Sequence, residues 1–188
     1  MISNEDIAQA LAEDAIKQED AQTLQIRALR FRKAKPHLIV PYTEFALVSA
    51  ECVYLFRDGH FYGCIALAQS VAEAIARFLC QKNSWKPDKT FEKNIKKLHN
   101  RKFISDELKN NFLKMWKKRD DYHHLNTKIE TDRIKLEKIA YDKILLLNKI
   151  ESEIFKYSIS KDGKLIPDNK KYWKSNKDGT VPVFLKLE

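Results

Sequence analysis

"HFYGCIALAQSVAEAIARFLC", His60–Cys80, is the stretch on which the fold turns. Phe61, Ile65, Ala68, Ala72, Ile75 and Leu79 step by four and three, the spacing of one helical face, and Leu67, Val71 and Phe78 cover the adjoining flank. A helix apolar over so much of its girth belongs in the middle of a bundle. Glu73 interrupts it. That carboxylate either pairs with Arg77 one turn on or faces a polar pocket, where Arg119 is a candidate partner across the bundle. The uncharged run inside the segment, Gly59–Ala72, is shorter than the roughly 20 apolar residues a bilayer requires, which predicts no membrane partner.

Before it, "EFALVSAECVYLF" reads as a helix, capped by Thr43 and stopped near Arg57 by Asp58–Gly59. Residues 3–31 form a first helix with Ser3 and Asn4 as cap candidates and Glu5 and Asp6 in its first turn. Pro36 and Pro41 end helical geometry on either side of "KAKPHLIVP". After a loop at Trp85 and Pro87 comes a short basic helix, Thr90–His99. Ser105 then caps "DELKNNFLKMWKKR", whose row Leu108, Phe112, Met115 continues to Arg119. The last helix spans roughly 132–158, with Ile134, Ala140, Ile144, Leu145, Leu147, Ile150 and Ile154 inward. Beyond Lys161 the composition turns to "DGKLIP" and "DGTVPVFLKLE", a short hairpin or an extended strand. The predicted fold is all-α: an antiparallel bundle of four to five core helices over residues 42–160, preceded by an N-terminal helix and linker (1–41) and followed by a mostly non-helical tail (161–188).

The chain has 188 residues, 44% of them hydrophobic, enough for one packed core. Four Gly and five Pro supply little turn chemistry for a many-stranded protein. Cys52, Cys64 and Cys80 are odd in number and lie in apolar helical patterns, so they read as buried thiols of a reducing, cytoplasmic compartment. Cys80 alone has basic neighbours that could lower its pKa. The N-terminus lacks a basic start followed by an apolar run and does not read as a secretory signal. Residues 82–119 hold thirteen Lys/Arg against four Asp/Glu, a net of +9 that equals the charge of the whole chain. Such density attracts polyanions, and RNA is the expected partner, with Lys96, Lys97, Arg101, Lys102, Lys114, Lys117 and Lys118 as the binding set. The bland reading is a solvated helical face.

At the end of the basic stretch stands "RDDYHH", Arg119–His124. Asp120 with His123 or His124, and Asp121 with His124, have metal-ligand spacing, but no third or fourth ligand stands out, and no metal or other cofactor is expected. Nothing places a Cys or Ser nucleophile beside the histidines. Metal-free phosphodiester chemistry on RNA needs an acid or base titrating near neutrality and a fixed cation for the developing phosphorane charge, which His and Arg supply.

Arg119, four intervening residues and His124, placed at the end of one bundle helix and before the last, resembles the Arg-x4–6-His motif of the HEPN superfamily. Asp120 fits the polar residue that commonly follows the Arg. "TEFALVSAECVYLF" and "HFYGCIALAQSVAEAIARFLC" resemble the first antiparallel pair of a HEPN bundle, and the likeness covers about residues 42–158. The resemblance implies a four- to five-helix bundle that dimerises and cleaves RNA without a metal at a composite site of two protomers. It also implies a role as a toxin or antiviral-defence effector, often with an antitoxin partner. In these terms Arg119 is the phosphate clamp and His124 the acid/base, with Asp120 and Tyr122 as orienters. The short helix at 88–99 departs from the pattern. His123 leaves the histidine ambiguous: helical i+4 spacing from Arg119 favours His123, and family spacing favours His124 and requires the helix to break. A homodimer is expected, since one Arg and one His per chain is sparse for both acid and base.

Other readings stay open on the same residues. "RDDYHH" could be a helix end whose His residues complement the negative pole of the helix and whose Arg pairs with a carboxylate. The bundle could be a non-catalytic RNA- or protein-binding module, or a structural helical subunit.

Overall fold

The computed structural model describes residues 3–186. The all-α bundle expected from the pattern is what forms. Helix α1 (Asn4–Ala34) leads, opened by a reciprocal Ser3–Asp6 capping box and closed at Lys35 in the left-handed conformation. A short strand β1 (Ile39–Pro41) follows, then α2 (Glu44–Asp58) and α3 (Phe61–Lys82), joined at Gly59, whose φ of 82° lets the chain reverse in one residue. Helices α4 (Phe91–Asn100), α5 (Asp106–Trp116), α6 (Arg119–His123) and α7 (Arg133–Ile154) complete the bundle. The predicted stripe of α3 is buried from Phe61 through Ile65, Ala68, Ala72 and Ile75 to Leu79, and α3 is the helix around which α2, α7, α4, α5 and α6 pack. Among the described residues it is the one helix long and apolar enough to cross a membrane, and 56% of its most apolar window is buried inside the bundle.

Residues after α7 return to the bundle. The last helix stops at Ile154 rather than near 158, because Tyr157–Ile159 (β2) pair antiparallel with Leu165–Pro167 (β3). Val183–Leu185 (β4) pair with β1, with Val40 opposite Phe184. Between them Trp173 is 1% exposed and meets Phe155 edge-on, while the Tyr172 hydroxyl donates to the Phe103 carbonyl at 2.7 Å. Lys186 is also fully buried. Its ammonium lies 2.7 Å from Glu151 of α7, whose other oxygen accepts from the Ser49 hydroxyl of α2. Ile134 and Leu145 point outward, at 83% and 39% exposure, contrary to the inward reading. The inward row of α7 runs through Leu136, Ala140, Lys143, Leu147, Ile150 and Ile154, and neither residue is on it.

All three cysteines are buried free thiols. Burial raises the Cys64 pKa to about 12 and that of Cys52 well above its ordinary value. It raises that of Cys80 too, outweighing the pull of Lys97 and Arg101.

Candidate functional site

Helix α5 does not run on to Arg119. It ends at Trp116, Lys117 is extended, and Lys118 takes the left-handed conformation at φ 63°, from which the single turn α6 starts. A lysine in that region is strained, so the surroundings must impose it. Two buried side chains do so. The Gln69 amide of α3 donates to the carbonyls of Met115 (3.0 Å) and Lys117 (3.3 Å). The Lys143 ammonium of α7 reaches the carbonyls of Lys114, Met115 and Lys117 at 3.2, 2.5 and 3.1 Å. Together they satisfy the last carbonyls of α5 with amide and cation, at the pole of the helix where a cation is favoured. Burial pushes the Lys143 pKa down to about 8, against the pull of Asp142 and with Lys117 and Lys118 adding to the fall.

The break resets the register, so Arg119 is not the next residue of the Leu108–Phe112–Met115 row. Its side chain is 29% exposed, with the guanidinium 5.1 Å over the Trp116 ring. Nη1 lies 3.3 Å from Asp120 and 3.4 Å from His124 Nε2, while Nε is buried with no hydrogen-bond partner among the described residues. His124, the C-cap of α6, is exposed, so the Arg–His pair opens to solvent across one turn of helix. His123 turns the other way. Its Nε2 is buried with no hydrogen-bond partner among the described residues, and burial followed by the Arg119 charge lowers its pKa, with Ala66 of α3 and Glu73 opposing. Tyr122 is 5% exposed and packs on Tyr62, whose hydroxyl donates to the Glu130 carbonyl at 2.8 Å. These contacts tie α6 and the following loop to the first half of α3. Tyr122 is thus a packing residue, and Asp120, 80% exposed, is the one expected orienter that touches Arg119.

Glu73 is not the partner of Arg119: it pairs with Arg77 one turn on, where the spacing on a single helix holds the two together. The basic set is also divided. Lys114, Lys117 and Lys118 are exposed beside the Arg119 turn and make no ion pair among the described residues. Lys97 is engaged by Asp88 (2.6 Å) and the Lys86 carbonyl (2.7 Å). Arg101, 4.5 Å over the Trp85 ring, and Lys102 precede the start of α5, the length of that helix or about 16 Å from the Arg119 end. Lys96 is exposed on α4. Among the described residues no three His, Cys, Asp or Glu side chains are grouped to hold a metal ion.

No protein-family model, curated protein or solved structure matches this chain. The site therefore rests on its own geometry. Gln69 and Lys143, which shape it, escaped the sequence reading, yet both leave a signal. Gln69 is one turn from Ile65 and from Ala72 on the buried face of α3, and Lys143 occupies the inward row of α7. A polar residue on such a row has to find buried partners.

Proposed function

We propose that this chain is a metal-independent endoribonuclease of the HEPN type, acting in the cytoplasm as a toxin or antiviral-defence effector. The observation that carries the reading is the solvent-facing Arg119–His124 pair, with 3.4 Å between Nη1 and Nε2, beside the exposed Lys114, Lys117 and Lys118, which make no ion pair among the described residues. In this chemistry His124 takes the proton of an RNA 2′-hydroxyl, the 2′-oxygen attacks phosphorus, and Arg119 holds the charge that builds on the phosphate oxygens. The bond to the 5′-oxygen breaks and that oxygen receives a proton, leaving a 2′,3′-cyclic phosphate. A second histidine for the leaving group would come from a two-fold partner, so a homodimer belongs to the proposal. An antitoxin or other defence-system protein is the expected regulator.

Purified protein incubated with labelled RNA in EDTA tests this, with Arg119→Ala and His124→Ala as controls. Cleavage that persists in chelator, ends in a cyclic or 3′-phosphate, and disappears in both variants is expected. Cleavage only with added Mg²⁺ or Mn²⁺ would remove the mechanism. A non-catalytic RNA-binding module is favoured by one observation: Asp120 and the Trp116 ring already engage the Arg119 guanidinium. That reading predicts RNA binding without cleavage in the same assay.

A further inference from the structure

Every residue from Ser3 to Gln22 is exposed, although helix α1 is continuous from Asn4 to Ala34. The contacts of α1 with the body lie further on. Arg27 pairs with Asp58 at 2.9 Å, Arg30 with Glu137 at 2.8 Å, and the Ala34 carbonyl accepts from Asn148. As Arg30 meets Glu137 and Ala34 meets Asn148, α1 runs parallel to α7, and with Arg27 held at Asp58 its first twenty residues project past the α2–α3 turn. They form an arm of about 30 Å, close to the length of α3. It leaves the bundle from the end at which Tyr62, Tyr122 and Glu130 fasten the Arg119 turn.

Exposed on every side, the arm lacks the packing of an apolar face from which most helical stability in proteins comes, so its stability calls for a surface to lie on. Its charge selects that surface. Residues 3–22 hold six Asp/Glu and one Lys, a net of −5, and with +9 overall the rest of the chain carries +14. Two arms side by side would bring like charges together. The body offers the opposite sign, and offers it with an apolar floor. Between α4 and α5 a shallow groove is lined by Glu92, Asn110, Leu113, Lys114, Trp116 and Lys117. The arm exposes Ile7 and Leu11 one turn apart, at 50% and 67%, with acids on its other sides. An amphipathic acidic helix fits a groove with apolar floor and lysine rim. The arm does not fold back on the groove of its own chain, because α1 is one continuous helix whose residues 3–22 are all exposed.

We infer that the acidic arm of one copy docks on the α4–α5 basic face of a second copy, so that two chains exchange arms. The covered surface is the one assigned above to RNA. The arm then stands in for a polyanion and is displaced when RNA arrives. This last consequence rests on the ribonuclease reading, whereas the arm exchange does not.

Sedimentation velocity on the full chain at micromolar concentration decides the matter. In about 50 mM salt the wild type is expected to be a dimer, and in about 0.5 M salt it dissociates, since screening shortens the reach of these charges to a few ångströms. Glu13→Lys with Asp14→Lys on the arm, or Lys114→Glu with Lys117→Glu on the groove, each weakens association by about tenfold or more. Mixing the two variants restores a dimer, because the local basic patch that Glu13→Lys and Asp14→Lys create beside Lys17 then meets the acidic groove of the other variant, whose own acidic arm meets an unaltered basic groove. Circular dichroism confirms that both remain helical. A wild type that is monomeric in low salt overturns the inference. So does a dimer that survives either reversal, which would leave a homodimer joined at the Arg119–His124 face intact as a separate idea. So does a mixture that stays monomeric.

Discussion

Replacing Lys143 with methionine keeps a long unbranched side chain in place and removes the ammonium from the three carbonyls that end α5. The consequence is a distinctive dependence on pH. Burial lowers the Lys143 pKa from 10.5 to about 8 in the folded protein. Between those values the unfolded chain holds the proton and the folded one does not, so this group makes stability rise with pH. The fall to about 8 corresponds to a penalty of about 3 kcal/mol for carrying the charge at neutral pH. Most of it, between about 2 and 3 kcal/mol, is relieved by pH 10. The stability advantage of the wild type over Lys143→Met should therefore grow by that amount between about pH 7 and pH 10. Urea denaturation of both proteins across this range gives the difference directly, and titrations common to the two cancel. An advantage that stays flat or shrinks with pH would refute the reasoning, because the carbonyls would then be stabilising the ammonium by at least as much as burial destabilises it. The same substitution loosens the Lys117–Lys118 turn that launches Arg119, so RNA cleavage, where present, should fall with it.

On the ribonuclease reading His124→Ala should lower the rate of RNA cleavage by about 100-fold or more, the usual scale of general acid–base catalysis. His123→Ala should leave most of the rate, since that ring faces α3 with Nε2 buried; a dead His123 variant beside an active His124 variant would reverse the assignment. Lys186→Met should destabilise the protein by about 3–5 kcal/mol by leaving Glu151 buried without its cation. Lys186→Met combined with Glu151→Leu should recover most of that loss in thermal or urea unfolding. A double variant no better than the single one would show that the pair does not hold the C-terminal segment to α7.

Much of the fold is legible in the chain because it depends on local periodicity. The Phe61–Leu79 row has one helical period, and Ser3, Ser105 and Gly59 mark helix ends by their own side-chain or backbone chemistry. The candidate site is only half legible. The residue types of "RDDYHH" point to phosphate chemistry, but which histidine meets Arg119 does not follow from spacing. Continuous helix would give His123. His124 is the one beside the guanidinium, since α6 ends at His123 and His124, its C-cap, has left helical geometry while the His123 ring is buried. Arg119 itself is placed by an earlier stop, that of α5 three residues before it. That stop has no glycine or proline to announce it. It is imposed from a distance by Gln69, 46 residues earlier than Met115, and by Lys143, 28 residues later, whose polar groups must find partners in the core. Likewise the strand β4 and Lys186 look like a loose tail in one dimension, because their partners, β1 and Glu151, lie far away in the chain. A helix's period is set by the backbone of the helix itself and so can be read locally. The place where a buried charge or amide finds its partner is set by the packing of several elements at once, and only the tertiary structure decides it.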